Sequence, residues 1–447
     1  MGRVFKWGGV VVACLMLLLF VLYTVGRLMP VPENEAKALA LLDAPRPLPG
    51  RNGLAALWLV AHDVPMKQAE HLLDEEVTRF AATPIQNDGE DTALFSLALD
   101  ALPRLDGDLA DRAVECRLNE TDCLDKMRSS LPEYERHIEA RLKVASRMAA
   151  LDKYDYFRNP FPYRFDMPIP SYQGLIRDPS IHAYQFVRGD TEPALEGVCR
   201  DASIARKLVA SGDNLIGSMI GAAMMKGASQ LFVEMLAELP VDHELPADCA
   251  RVFRPDGGMT EAICPTMIGE GRFAAGGLRS IYKAQADDTW RLSRLLVDVE
   301  KTAARGAPSS TWCCGKEARA LIAADEPLRN TRSPPSQWSL SCVSNAMGCI
   351  LTDIQTPAYA DYGLRLQDAE VRQKLVGTWL WLREHAGDTR SLVERLASRP
   401  EALKSPARDI HVSDDGKALV VAMYEPRREA GTWQLPIPDW MTDKPMQ

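Results

Sequence analysis

The most constraining feature of this sequence is an uncharged apolar run near its N-terminus. Residues 7–26, WGGVVVACLMLLLFVLYTVG, contain no charged side chain. An α-helix rises about 1.5 Å per residue, so a run of this length matches the roughly 30 Å hydrocarbon core of a bilayer. Arg3 and Lys6 precede it, which favours a cytoplasmic N-terminus and export of the chain beyond the run. The sequence therefore predicts a cytoplasmic stretch over residues 1–6 and a transmembrane anchor, in contact with membrane lipid, over residues 7–28.

Three other interpretations of the apolar run are weaker. A cleaved signal peptide ending at Gly26 would have an unusually long apolar region. A lipidated Cys14 would be followed by further apolar residues, where a mature lipoprotein normally becomes polar. A buried helix of a soluble protein is rarely this long without a charge. We therefore predict an uncleaved single-pass anchor, with the bulk of the chain in the periplasm of a bacterial inner-membrane protein.

The remaining chain is typical of a mainly helical globular protein. Helical spacing of apolar residues recurs over residues 33–44, 65–81, 131–153, 192–211, 213–238, 277–304 and 366–386. Near the end, Asp415-Gly416 lies between two β-prone runs, Ile410–Val412 and Lys417–Tyr424, and predicts a hairpin; a third strand is predicted over Thr432–Leu435. The predicted fold class is mainly α: one transmembrane helix, an exported irregular multi-helix body, and a small C-terminal β-hairpin or meander.

These patterns also suggest a division of the chain. A membrane-proximal segment covers residues 29–64, a helical exported domain covers 65–400 with a sub-boundary near 154–173, and a β-rich segment covers 401–447.

The net charge of −9, without a dense basic cluster, argues against a nucleic-acid partner, since phosphate binding needs clustered positive charge.

Two short cysteine loops have the same spacing. CRLNETDC runs from Cys116 to Cys123, and CVSNAMGC runs from Cys342 to Cys349. Structural zinc sites usually use closer pairs, with two to four residues between the cysteines, and the exported location favours disulfides. A disulfide needs Cα atoms within about 7 Å, so the chain must turn inside each loop. We predict two disulfides, Cys116–Cys123 and Cys342–Cys349.

Five other exported cysteines leave one unpaired or bonded between chains. Cys249 and Cys264 flank a loop that contains proline and glycine, and we predict a disulfide between them. The pairing of the remaining three stays open; they are Cys199, Cys313 and Cys314.

The sequence contains no motif that identifies an enzyme. HExxH, GxSxG, phosphate-loop and dinucleotide-binding patterns are absent. The glycines of Gly217-Ser218-Met219-Ile220-Gly221 are one residue out of register for a nucleophile elbow and indicate helix packing. Acidic stretches at 87–91 and 106–108 are interpreted as solvated turns rather than calcium loops. We predict no catalytic residue, metal ligand or cofactor.

An aromatic segment stands out at residues 154–173, YDYFRNPFPYRFDMPIPSYQ. Its four prolines predict an extended strap rather than a helix. The simplest interpretation is that its rings fill grooves of the helical body, and we expect this of Phe157 and Phe165. The alternative is a partner-binding surface, because tyrosine, phenylalanine and arginine are enriched at interfaces. The candidate residues for that surface are Tyr154, Tyr156, Phe161, Tyr163 and Tyr172.

The favoured function is therefore non-enzymatic. We expect a membrane-anchored, envelope-facing protein that acts in assembly, scaffolding or the binding of another envelope protein. The alternative is an exported hydrolase whose catalytic groups are gathered only by the fold. A cavity that joins a histidine to an aspartate or serine would favour the hydrolase.

Overall fold

The apolar N-terminal run forms one continuous helix, α1 (Gly2–Leu28), in the computed structural model of this chain. Its segment Trp7–Leu28 has a mean hydropathy of 2.6 and is long and apolar enough to cross a membrane. None of its most apolar window is buried against the rest of the protein. The structure describes residues 2–85, 97–105, 114–118, 120–172, 175–176, 179–284, 293–330, 336, 338–425 and 431–442.

The body beyond α1 is also mainly helical, and helices account for about 65% of the structure. Four of its helices are long: α8 (Thr191–Ser211), α9 (Leu215–Glu238), α12 (Ile263–Ala284) and α18 (Tyr362–Glu384). The shorter helices are α2 (Glu33–Asp43), α3 (Leu54–Trp58), α4 (Ala69–Ala82), α5 (Cys123–Glu135), α6 (Ile138–Ala150), α7 (Pro179–Val187), α10 (Ala247–Val252), α11 (Gly258–Glu261), α13 (Ser293–Leu296), α14 (Val299–Thr311), α15 (Lys316–Ala324), α16 (Leu340–Val343), α17 (Ala346–Ala358) and α19 (Leu392–Ser398).

Helix α9 lies at the centre of the core. It packs against α8 along most of its length and also contacts α18, α12, α7 and α5. Gly221 permits the close approach to α8, because a Cβ there would collide with the backbone carbonyl of Ala205. Asn214 begins the helix, its side-chain oxygen accepting a hydrogen bond from the Gly217 amide at 2.8 Å. The predicted helix pair around the Ser-Gly-Asp break, and its packing through small residues, are therefore confirmed.

Two predicted helices are divided in the structure. The range 131–153 belongs to α5, which begins earlier at Cys123, to α6, and to a 3₁₀ turn at Leu151–Lys153. The range 277–304 contains the end of α12, α13 and the start of α14. Asp298 causes this second break, because its carboxylate accepts from the Lys301 amide and caps a new helix. Apolar spacing alone did not reveal this start signal.

The C-terminus forms an antiparallel sheet of order β1-β2-β3, with β1 (Ile410–Val412), β2 (Ala418–Ala422) and β3 (Thr432–Pro436). The β1–β2 register pairs Ile410 with Val421, and the β2–β3 register pairs Leu419 with Leu435. Gly416, in the turn between β1 and β2, has a φ of 72°, a left-handed conformation that glycine adopts without strain. The predicted meander is therefore confirmed, and its strands β2 and β3 pack against α18.

Both predicted short-loop disulfides are present. The Cα atoms of Cys116 and Cys123 are 5.5 Å apart, and those of Cys342 and Cys349 are 5.8 Å apart. On an unbroken helix, residues with this spacing would be separated by about 10.5 Å along the axis. The chain turns inside each loop, as the geometry of a disulfide requires.

The other exported cysteines form two disulfides that differ from the one we predicted. Cys249 bonds to Cys199 of α8, and Cys264 bonds to Cys314, so the predicted Cys249–Cys264 disulfide is wrong. The reason lies in the loop between the two residues. Two backbone amides around the start of α11 donate to the carboxylate of Glu370, at 3.0 and 3.2 Å, and hold this loop against α18. Cys249 faces Cys199 of α8, whereas Cys264 faces Cys314 in the 3₁₀ turn that follows α14.

We expect peptide mapping without reducing agent to recover four linked peptide pairs and one free thiol outside α1, that of Cys313. Cys313 is buried, and burial raises the pKa of its thiol to about 12, so alkylation should require denaturation. A Cys249–Cys264 peptide pair, or alkylation of Cys313 in the folded protein, would contradict this assignment. The apolar helix and the four disulfides together suggest an extracytoplasmic protein, either secreted or membrane-anchored.

Candidate functional site

The aromatic segment runs over the body as an irregular strap, as its prolines predict. Phe161 is only 2% exposed and Tyr172 only 9%, which corrects their assignment to an interaction surface. Tyr154, Tyr156 and Tyr163 are partly buried. A partner-binding role within this segment therefore stays a prediction for those three tyrosines only.

Ring packing explains why Phe161 is buried. Its ring centroid lies 5.5 Å from that of Trp58 and 5.3 Å from that of Phe80. The Arg164 guanidinium also packs against this cluster, 4.0 Å from the centroid of the Phe80 ring. Asn159 fixes the strap locally, accepting from the Phe161 amide and donating to a backbone carbonyl further along. Phe157 is also buried, as predicted, and Phe165 is partly buried.

The described histidines are held in separate places. His182 is buried, with Nε2 3.1 Å from Asp201 Oδ2 and Nδ1 3.2 Å from Gln185 Oε1. Both of its ring nitrogens thus face side chains that fix the ring. His243 lies 3.0 Å from a carboxylate oxygen of Glu192. Helix α18 borders two cavities, one beside Glu370 and one beside Trp381, and neither His182 nor His243 lines either of them.

No metal centre is formed by the described residues. Among them, no group of three or more His, Cys, Asp or Glu side chains could hold a metal ion. The two acidic stretches interpreted as solvated turns, 87–91 and 106–108, lie outside the described residues, and that interpretation stays a prediction.

A cavity of about 780 Å³ lies between α11, α15 and α18, and we refer to it as the α15–α18 cleft. This volume is within the range of about 300–1,000 Å³ that is usual for binding sites in proteins. Much of its lining is apolar. The apolar lining residues are Pro255, Ile263, Ile322, Ala323, Val371, Ala402 and Pro406, together with the Cys264–Cys314 disulfide.

The inner polar groups of the cleft are engaged in structural bonds. The Glu370 carboxylate receives the two amides of the α11 loop; burial raises its pKa, and these hydrogen bonds oppose that rise. Lys374 Nζ donates to a backbone carbonyl at 2.7 Å. Asp325 is bonded to the Arg408 guanidinium, with Arg408 Nη2 2.6 Å from Asp325 Oδ1. These bonds hold the walls of the cleft in place.

Two further lining residues are available to a ligand. Glu261 and Arg319 are exposed, and neither forms an ion pair with another residue in the described part of the chain. They lie on α11 and α15, on two sides of the apolar walls.

A second cavity of about 490 Å³ lies next to the first. Pro255 and Ala402 line both cavities, so the two are neighbours. The second cavity is lined by the apolar side chains Val241, Leu245, Phe253, Leu380, Trp381 and Leu403. Together the two cavities form a mainly apolar groove along α18.

Two carboxylates away from this groove, the buried Asp213 and the partly buried Glu234, have raised pKa values. Burial raises the pKa of Asp213 to about 6 and that of Glu234 to about 7. Glu234 accepts a hydrogen bond from the Cys123 amide at 3.1 Å, at the start of α5. Asp213 accepts from the Asn214 side chain at 2.7 Å. Neither carboxylate lines the groove.

The groove could not be predicted from the sequence. Its lining comes from residues as distant as Pro255 and Pro406, so no local motif contains it. The adjacent pair Cys313-Cys314 was the one local signal near the cleft, because two neighbouring cysteines rarely bond to each other and a disulfide from either would join this segment to another part of the chain. The partner of Cys314, Cys264, lies on the cleft wall.

Comparison with protein-family models, with curated proteins and with solved structures finds no match for this chain.

Proposed function

We propose that this chain is a single-pass protein of the bacterial inner membrane whose periplasmic body binds a partner protein without catalysing a reaction. The observation that carries the proposal is the α15–α18 cleft, whose walls are mainly apolar and whose inner charges are committed to structural bonds. Such a cavity is suited to recognising a shape and an apolar surface.

The end of α1 supports an uncleaved anchor. Lys301 Nζ donates to the backbone carbonyls of Gly26 and Arg27, at 2.9 and 2.7 Å. Arg27 also forms an ion pair with Asp298, with a distance of 3.4 Å between Nη1 and Oδ2. Cleavage after Gly26 would remove part of this bonding between the helix and the body. The contacts favour an anchor that stays attached over a signal peptide that is removed.

The groove indicates the chemistry of the partner. Two neighbouring apolar cavities along one helix suit an extended polypeptide segment that places successive apolar side chains in each cavity. The exposed Glu261 and Arg319 would hydrogen-bond to its backbone or to its polar side chains. We therefore propose an envelope protein that presents such a segment.

Filling the cleft should abolish partner binding without unfolding the body. Ala323 is exposed on α15 and lines the cleft, so Ala323→Arg would place a long charged side chain where apolar groups should bind. Ala320 is exposed on the same helix and does not line the cleft, which makes Ala320→Arg the matched control. The measurement is recovery of cross-linked partners from membranes, identified by mass spectrometry, with melting temperature measured in parallel.

We expect partner recovery to be lost in Ala323→Arg and kept in Ala320→Arg, with both variants melting like the unaltered protein. Equal recovery from both variants would contradict binding in the cleft.

The topology is tested separately by a C-terminal reporter that is active only after export. Activity of a cytosol-only reporter at the same position would contradict the periplasmic location.

A further inference from the structure

A short stretch next to the anchor exposes an unusual amount of apolar surface. Trp338 is 96% exposed, and Leu340 and Val343 of α16 are exposed as well. Leu295 and Leu296 of α13, which contacts α17, are exposed too. Isolated exposed apolar residues are ordinary on a protein surface, but a contiguous group marks an interaction site.

Helix α17 extends this surface with an inverted arrangement of its faces. Its large apolar side chains occur at helical spacing, so they share one face, and all are exposed; they are Met347, Ile350, Leu351 and Ile354. The opposite face packs inward with small or polar residues, including Gly348 and Thr352. In an ordinary helix of a soluble protein the apolar face would be the buried one.

The stretch is also nearly free of charge. Between Trp338 and Gln355 the only charged residue is Asp353. Its carboxylate lies 3.1 Å from Nη2 of Arg305, which is buried under α17. No exposed charge of this stretch therefore opposes its transfer into an apolar medium.

The anchor and this surface are held together at one level. Gly26, near the end of α1, is buried against α16, where a Cβ would collide with the Leu340 carbonyl. The bonds from Lys301 and Asp298 fix the same turn of α1 from the side of α14. The 22 residues from Trp7 to Leu28 would span about 33 Å as a helix, close to the roughly 30 Å of a hydrocarbon core. The end of α1 that touches α16 therefore lies at the membrane boundary.

We infer that Trp338, α16 and α17 form a second membrane contact, with the apolar face of α17 lying in the outer interface of the bilayer that α1 spans. The inference rests on the proposed membrane anchoring. A bilayer fits this surface because the surface adjoins the span, lacks free charge and carries a tryptophan at the level where that side chain prefers to lie. The Cys342–Cys349 disulfide holds α16 and α17 in the relative orientation that this contact needs.

This contact would orient the body relative to the membrane. A single span leaves a body free to rotate and tilt on its connection, whereas a second contact beside the span removes that freedom. The α15–α18 cleft would then be presented at a fixed height and direction above the bilayer.

Photolabelling of the full-length protein in phospholipid vesicles tests the inference. The probe is a phospholipid with a photoactivatable diazirine on its acyl chain, and labelled peptides are identified by mass spectrometry. We expect label in α1 and in the peptide covering residues 338–355. Val393 of α19 is 68% exposed, comparable with the 69% of Ile354, so its peptide is the internal control and should stay unlabelled.

A pair of variants separates this contact from the anchor. The double substitution Met347→Asp, Ile354→Asp should reduce labelling of the 338–355 peptide about tenfold or more, because charge is excluded from the apolar interface, while α1 stays labelled. The control, Val393→Asp, should change neither. Label in α1 with none above the Val393 level in 338–355 would overturn the inference and leave the anchor intact. Absence of label from α1 would refute the anchoring itself. A protein cross-linker with a photoactivatable group, applied to the same vesicles, tests the other occupant: joining of 338–355 to a second copy of the chain, with no lipid label there, would assign the surface to a protein contact and also overturn the inference.

Discussion

Replacing Arg408 with alanine should destabilise the protein by about 3–5 kcal/mol, the cost usual for removing one partner of a buried ion pair. Arg408 Nη2 lies 2.6 Å from Asp325 Oδ1, and Nη1 lies 2.7 Å from Asp368 Oδ1. The guanidinium also lies 4.0 Å from the centroid of the Tyr424 ring. Removing it would leave Asp325 and Asp368 without the guanidinium that pairs with both, and Arg372 would be the remaining cation that acts on Asp368. Since the total stability of a domain is about 5–15 kcal/mol, the loss should be evident in abundance as well as in melting.

The loss should depend on pH in a defined direction. Burial raises the pKa of Asp368, and Arg408 opposes that rise, so removing Arg408 should raise the pKa further. A carboxyl group with a raised folded-state pKa stabilises the fold below its unfolded pKa and loses that contribution as the pH rises through the folded value. The difference between Arg408→Ala and the unaltered protein should therefore shrink as the pH falls.

Denaturant unfolding in detergent, followed by circular dichroism at several pH values, measures both effects. Arg390 provides the control, because its ion pair with Asp388 is at the surface. Arg390→Ala should change stability little at any pH. If Arg408→Ala unfolds at the same denaturant concentration as Arg390→Ala, the network does not hold the sheet and the helical body together.

Truncating Phe161 to alanine should also cost about 3–5 kcal/mol, as removal of a buried aromatic ring does. Its ring is packed between Trp58 and Phe80, so the truncation would leave a cavity in a close-packed core. Tyr156→Ala, within the same segment but only partly buried, should cost about 1 kcal/mol. Thermal unfolding of the two variants compares them directly.

The same pair distinguishes packing from partner binding in the aromatic segment. If the segment serves packing alone, Phe161→Ala melts early and Tyr156→Ala recovers the usual partners. Loss of a cross-linked partner in Tyr156→Ala, with melting nearly unchanged, would show that this tyrosine belongs to an interface. A Phe161→Ala protein that melts like the unaltered one would contradict the packing of this ring against Trp58 and Phe80.

Features that depend on neighbouring residues could be predicted from the sequence. The apolar helix of α1, the two short-loop disulfides and the turn at Asp415-Gly416 follow from charge, spacing and turn chemistry within about twenty residues or fewer. Each has few alternatives once these residues are given. Helix periodicity likewise predicted α8 and α9 to within two residues of their ends.

Features that join distant segments were decided only by the tertiary structure. Cys249 bonds to Cys199, 50 residues away, although Cys264 is much nearer in the sequence, and the loop between Cys249 and Cys264 is held against α18 by Glu370. The α15–α18 cleft exists because α11, α15 and α18 meet without filling the space between them. Helix α17 shows the limit most directly. Spacing can place four apolar side chains on one face, but only the packing of the neighbouring helices decides whether that face points inward, and here it points out.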